Sequence, residues 1–123
     1  MYDLIVKGGT VVDPSQNLHA ISDVAIENGK IAKIATDIPA EEATRVIEIK
    51  GKIVTPGLID LHTHVYSGVN ANGVDADLGG VRAGVTTMID AGSSGCDNFG
   101  GFPTHILPNT ATEIICFLHI CRT

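Results

Sequence analysis

Polar and apolar side chains alternate with a period of two along Leu58–Val65, directly after the turn pair Pro56–Gly57. In a strand this period sends Asp60, His62 and His64 to one face and Ile59, Leu61, Thr63 and Val65 to the other. Burying a polar group without a partner costs about 2–7 kcal/mol by transfer measures, so the polar face needs something to pair with. Two imidazoles two residues apart on one strand face can converge on a single metal ion, at about 2.0–2.1 Å each, while the apolar face packs against helices. Asp60, one step further back, is either another ligand or a group that orients a ligand's second ring nitrogen. The flexible polar loop Tyr66–Gly73, YSGVNANG, follows at the end of the strand, which is where parallel α/β folds place their sites. On spacing alone, two half-exposed histidines with no ligand remain the alternative.

Upstream, residues 1–56 read as short strands punctuated by turns. Tyr2–Val6 and Thr10–Val12 are apolar runs separated by Gly8–Gly9, and Asp13–Pro14 ends the second. In SDVAIENGKIAKI, Asn28–Gly29 supplies the pair that tolerates positive φ at both centres of a type I′ hairpin turn, which sets Glu27 opposite Lys30. Alternation resumes in RVIEIKGKIVTPG, with Val46, Glu48 and Lys50 on one face and Ile47 and Ile49 on the other. The expectation for this half is a small antiparallel sheet.

From Leu58 onward, apolar runs alternate with Gly-rich loops and one helix. Asp75 or Asp77 can cap a short helix through Val81–Ala83, Gly84 can close it, and Val85–Ile89 is the next strand. Strand, loop, helix and strand are the ingredients of a parallel sheet, and Ile114–Ile120 reads as a third strand. Pro103 and Pro108 oppose a long helix between them. The division is therefore a β segment over 1–56 and an α/β segment over 57–123.

With 123 residues, 44% hydrophobic and 18% charged, the chain can bury a core. A formal net charge of -6 offers no basic footprint for nucleic acid or an anionic membrane surface. No charged leader and no spanning apolar run is evident, so a soluble, cytoplasmic protein is expected. Cys96, Cys116 and Cys121 form no CxxC pair and suit free thiols in a reducing compartment. A metal site built from Cys116, His119 and Cys121 has no standard zinc spacing.

The runs YDLIVKGGTVVDP and GKIVTPGLIDLHTH, followed by a helix and then GVTTMIDAG, resemble the beginning of the amidohydrolase superfamily of metal-dependent hydrolases. Within it, the stretch Asp90–Ser93, DAGS, and the later Asp97–Phe99, DNF, resemble the dihydroorotase-like and N-acyl amino acid deacetylase-like branch. The resemblance implies a small β-sandwich beside a (β/α)₈ TIM-type barrel, here the amino-terminal part of the sandwich and the first two to three strands of an incomplete barrel. A closed barrel takes about 250 residues, so the chain reads as an amino-terminal fragment. By the same match His62 and His64 are ligands of a divalent metal, commonly zinc, with two metal ions in the intact site, and Asp60 is a supporting residue. The bridging carboxylated lysine, two further histidines and the proton-accepting aspartate of the family cannot be assigned to any residue here, so no catalytic residue is named.

The implied activity is hydrolysis of a carbon–nitrogen bond in an amide, cyclic amide or N-acyl substrate by attack of a metal-bound hydroxide. The fragment alone is expected to be inactive, and exposed strand edges and apolar faces predict poor solubility or assembly with other chains. Dihydroorotases of this kind carry an arginine two residues after the second histidine, where this chain has Tyr66, which counts against a true dihydroorotase. Intact relatives are often homo-oligomers. The alternatives are an esterase of the same superfamily, a non-catalytic interaction protein on the same scaffold, and a β-rich binding module carried by residues 1–56.

Overall fold

The computed structural model describes residues 1–122, and the chain divides into two compact units, Met1–Pro56 and Gly57–Thr123. The first unit is a five-stranded mixed sheet. Its strands are β1 (Tyr2–Asp13), β2 (Leu18–Glu27), β3 (Lys30–Ala35), β4 (Ala43–Glu48) and β5 (Ile53–Val54). The order is β3-β2-β1-β4, with β5 also pairing β1.

The two short runs expected around Gly8–Gly9 are one continuous strand, because the glycines absorb a break in register instead of ending it. Pairing with β2 shifts between Val6 and Gly9, and Gly8 sits at φ 75°. At Gly9 a β-carbon would collide with the side chains of Ile49 and Val54, so the backbone approaches them where only glycine fits. The hairpin forms as the sequence predicts, with Asn28 at φ 53°, Gly29 at φ 72° and Glu27 opposite Lys30.

The expectation of an antiparallel sheet fails in one respect. β1–β2 and β2–β3 are antiparallel, but β4 and β5 run parallel to β1. The connection from β3 to β4 passes through Ile38 and a 3₁₀ turn at Ala40–Glu42 and delivers the chain to the far edge of β1. Ile38 is fully buried with Ile5 and Ala25, so apolar burial anchors this crossover. Beside it, Lys7 Nζ donates to Asp23 Oδ2 at 2.6 Å, Asp37 Oδ1 at 2.7 Å and the Ile38 carbonyl at 2.9 Å. Asp23 in turn accepts the N–H groups of Gly8 and Ile38, which satisfies a carboxylate that is otherwise buried.

The second unit is a three-stranded parallel sheet, β6 (Leu58–Thr63), β7 (Val85–Ser94) and β8 (Glu113–Leu118), in that order. Between β6 and β7 lies the four-residue helix α1 (Ala76–Gly79), capped by Asp75, whose carboxylate accepts the Leu78 N–H at 3.0 Å. A 3₁₀ turn at Val81–Ala83 ends at Gly84, φ 89°. Asp77 does not cap. It crosses to the start of β8 and accepts the N–H groups of Ala111 and Thr112 and the Thr112 hydroxyl. Pro103 lies in a five-residue π turn and Pro108 in a 3₁₀ turn, so no long helix forms there.

Val65, Tyr66, Ala76, Met88 and Phe102 form the core of this unit, with the Tyr66 and Phe102 ring centroids 4.3 Å apart. Ile59 and Leu61 were expected to share a buried face with Thr63 and Val65. Instead they are 60% and 70% exposed, while Thr63 and Val65 are buried. The helix and the turn after it are tied to the starts of β7 and β8, through Asp77 to Thr112 and Val85 N–H to Gly80, and they leave Leu58, Ile59 and Leu61 of β6 exposed.

Candidate metal centre

The strand β6 ends at Thr63, so His62 lies on its last turn of pleat and His64 just beyond it. The register with β7 shifts between Asp60 and Thr63, and strict alternation breaks down at this point. Even so, the two imidazoles come together. Their ring centroids are 5.5 Å apart with planes 82° to one another. With metal–nitrogen bonds of about 2.0–2.1 Å and a tetrahedral angle, two imidazoles on one ion have centroids roughly 5 Å apart, so the pair fits a shared divalent cation.

The two histidines differ in how they are held. The His62 ring is exposed, and its backbone N–H donates to Asp60 Oδ1 at 3.1 Å. Asp60 thus braces the strand end through the backbone, and among the described residues it makes no hydrogen bond to a histidine ring nitrogen. His64 is partly buried and fixed from three sides. Its Nδ1 lies 2.9 Å from Ser93 Oγ, its carbonyl accepts the Val74 N–H at 2.9 Å, and the next N–H, that of Val65, donates to Asp90 Oδ2 at 2.8 Å.

Asp90 and Ser93 are site residues that the period-two pattern does not reveal. Asp90 is fully buried in the second half of β7, where the register with β8 breaks, and its second oxygen accepts from the N–H groups of Gly92 and Ser93. An aspartate followed by Ala-Gly-Ser is a turn signal, because the short carboxylate reaches the amides two and three residues ahead. DAGS therefore contains the information, though spacing alone does not say that the turn closes on His64.

Among the described residues no group of three or more His, Cys, Asp or Glu is placed to hold a metal. The Cys116, His119 and Cys121 arrangement does not assemble. His119 Nδ1 accepts the Cys121 N–H, and all three cysteines are free thiols. Tyr66 is spent on structure, its hydroxyl donating to the Asn98 carbonyl at 2.7 Å. Burial pushes the Cys116 thiol up to about 11, with the nearby Asp90 charge adding to it. In the first unit, a groove of about 490 Å³ is lined by Lys7, Asp23 and Lys50 among others, but Lys7 and Asp23 already satisfy each other. No helix among the described residues is long and apolar enough to cross a membrane.

No protein-family model matches the chain. It is 41% identical over 115 residues to a dihydroorotase of Aquifex aeolicus, covering 93% of this chain and 24% of the relative. It is 37% identical over 93 residues to a deacetylase of Agrobacterium fabrum, covering 76% and 23%. A dihydroorotase crystal structure superposes over 99% of this chain and 32% of its own, with a TM-score of 0.84 and 27% identity. An adenine deaminase matches over the same shares with a TM-score of 0.82 and 32% identity. A D-aminoacylase with a binuclear metal center matches 75% of this chain and 19% of its own, with a TM-score of 0.60 and 33% identity. The chain thus spans about a quarter of the length of the curated relatives it matches. These relatives and structural neighbours together show that the chain belongs to the amidohydrolase superfamily.

Proposed function

We propose that the chain carries the first part of a divalent-metal site of an amidohydrolase acting on a carbon–nitrogen bond, with His62 and His64 as the ligands it contributes. The observation that carries this reading is the convergence of the two imidazoles at the carboxyl end of β6. A divalent ion there would lower the pKa of water towards about 7 and polarise a substrate carbonyl, and zinc suits imidazole ligands. On this reading the parallel sheet β6-β7-β8 is the opening of a (β/α)₈ barrel, and the mixed sheet belongs to the accompanying sandwich. The site then lies at the carboxyl ends of the strands, as barrel sites do.

An N-acyl or cyclic amide substrate is favoured. Tyr66 stands where the dihydroorotase-like pattern has a carboxylate-gripping arginine, and its hydroxyl is occupied by Asn98. Asp60 acts as a supporting residue through the His62 backbone. Two imidazoles hold a metal weakly and supply no proton acceptor, so these 123 residues alone are expected to turn nothing over. Three free thiols suit a reducing compartment such as the cytoplasm.

The test is zinc titration of the purified chain beside His62→Ala and His64→Ala, with hydrolysis of cyclic ureides and N-acetyl amino acids followed in parallel. Zinc binding by the wild type and its loss in both variants supports the reading. Binding that survives both substitutions refutes it. Turnover that disappears with His62→Ala would show that an assembly of chains completes the ligand set.

A further inference from the structure

We infer that Ser93 is a positioning residue for His64. It engages Nδ1, so that the ring offers Nε2 to a metal, and Asp90 fixes the distance between the two residues. The inference deepens the proposed metal reading and rests on it.

A neutral imidazole has one nitrogen with a proton and one with a lone pair, and the hydrogen bond at one nitrogen decides which is free to ligate. In this chain the Nδ1 side of His64 is taken, with Ser93 Oγ 2.9 Å away. The serine is buried, at 5% exposure, so water is poorly placed to replace it. If Nε2 held a metal, Nδ1 would keep its proton and its N–H would hydrogen-bond to Ser93 Oγ. Partners of this kind fix ring orientation and raise ligand basicity.

Asp90 makes the arrangement rigid. One carboxylate oxygen holds Val65 N–H at 2.8 Å and the other holds Ser93 N–H at 2.6 Å. Val65 is the residue after His64, so a single buried carboxylate joins the backbone of the ligand to the backbone of its partner. His62 has no equivalent, since its ring is exposed. The two ligands therefore differ in kind: His64 is preset, and His62 is free to adjust.

The experiment is ¹⁵N NMR of the histidine rings at pH 8 with and without zinc, together with zinc titrations, on wild type, Ser93→Ala and Ser93→Thr. In the wild type, zinc should move the Nε2 resonance of His64 and leave Nδ1 protonated. Ser93→Ala should let the metal-free ring relax towards the tautomer mixture of free imidazole and weaken zinc binding about 10- to 100-fold. Ser93→Thr, which keeps the hydroxyl, should lie nearer the wild type. Zinc on Nδ1 of wild-type His64 overturns the inference without requiring any variant to fold. An unchanged tautomer and affinity in Ser93→Ala overturns it as well. If zinc fails to perturb either histidine in the wild type, the metal reading itself falls, and the inference falls with it.

Discussion

The carboxylate of Asp90, in the second half of β7, accepts the backbone N–H of Val65, just beyond the end of β6, at 2.8 Å. It also accepts from Gly92 and Ser93, so three amides converge on one fully buried side chain. Asp90→Ala leaves those donors without an acceptor. Each unsatisfied buried donor costs about 1–3 kcal/mol, and the substitution should destabilise the second unit by roughly 3 kcal/mol or more. Hydrogen exchange at Val65, Gly92 and Ser93 is the measurement. All three amides should lose protection together, and retention of protection at Val65 would contradict the shared anchor.

The ion-pair network of the first unit should shape its response to acid. Burial raises the Asp23 pKa, but Lys7 and the N–H groups of Ile38 and Gly8 outweigh it and hold the carboxyl below its ordinary value of 3.8. The unfolded chain then binds the proton first as pH falls. The Asp23 contribution is complete above about pH 3.8 and is lost as pH drops through the lower folded value. Asp13, held down by the Ser15 hydroxyl and Gln16, follows the same sign. Urea midpoints read from Ile5 and Ala25 resonances between pH 7 and pH 3 should fall in the wild type. In Asp23→Asn they should start lower and fall less, Asp13 keeping some of the slope. Parallel curves for the two proteins would exclude this role.

Legibility differed between the two halves for physical reasons. The Asn28–Gly29 hairpin was readable because it depends on two neighbouring residues, both at positive φ. The parallel placement of β4 was not, since burying Ile38 beside Ile5 and Ala25 is a long-range event that leaves no local pattern. At the candidate site, the period-two rule places His62 and His64 on one face, and their ring centroids do lie 5.5 Å apart despite a register shift that the rule does not anticipate. The stretch Asp90–Ser93 stands out in the sequence, but the pairing of Ser93 with His64 does not, because the two lie 29 residues apart. The exposure of Ile59 and Leu61 was hidden because a sequence shows which face is apolar without showing what covers it.

Cys116 should be the slow thiol. Burial, aided by the Asp90 charge, raises its pKa to about 11, whereas Cys96 and Cys121 are exposed. Alkylation proceeds through the thiolate, of which a pKa of about 11 leaves very little at pH 8. Iodoacetamide at pH 8, followed by peptide mass spectrometry, should label Cys96 and Cys121 first. Cys116 should react at a comparable rate only in denaturant. Early labelling of Cys116 in native buffer would mean that the core beside β8 opens readily.

The exposed apolar side chains of the parallel sheet predict self-association. Leu61 on β6 and Phe117 on β8 are 70% and 57% exposed, and within the three-stranded sheet each of these strands has only one neighbour. An uncovered apolar surface beside an unpaired edge favours association with other chains. Leu61→Thr combined with Phe117→Thr removes apolar area while keeping residues that suit strands. Neither side chain belongs to the buried cluster around Val65 and Phe102, so the substitutions should leave that core intact. Sedimentation velocity should show concentration-dependent association of the wild type and a shift towards monomer in the double variant. Association that persists unchanged would assign it to the open backbone edges. A wild type that stays monomeric at all concentrations would show that these faces drive no association.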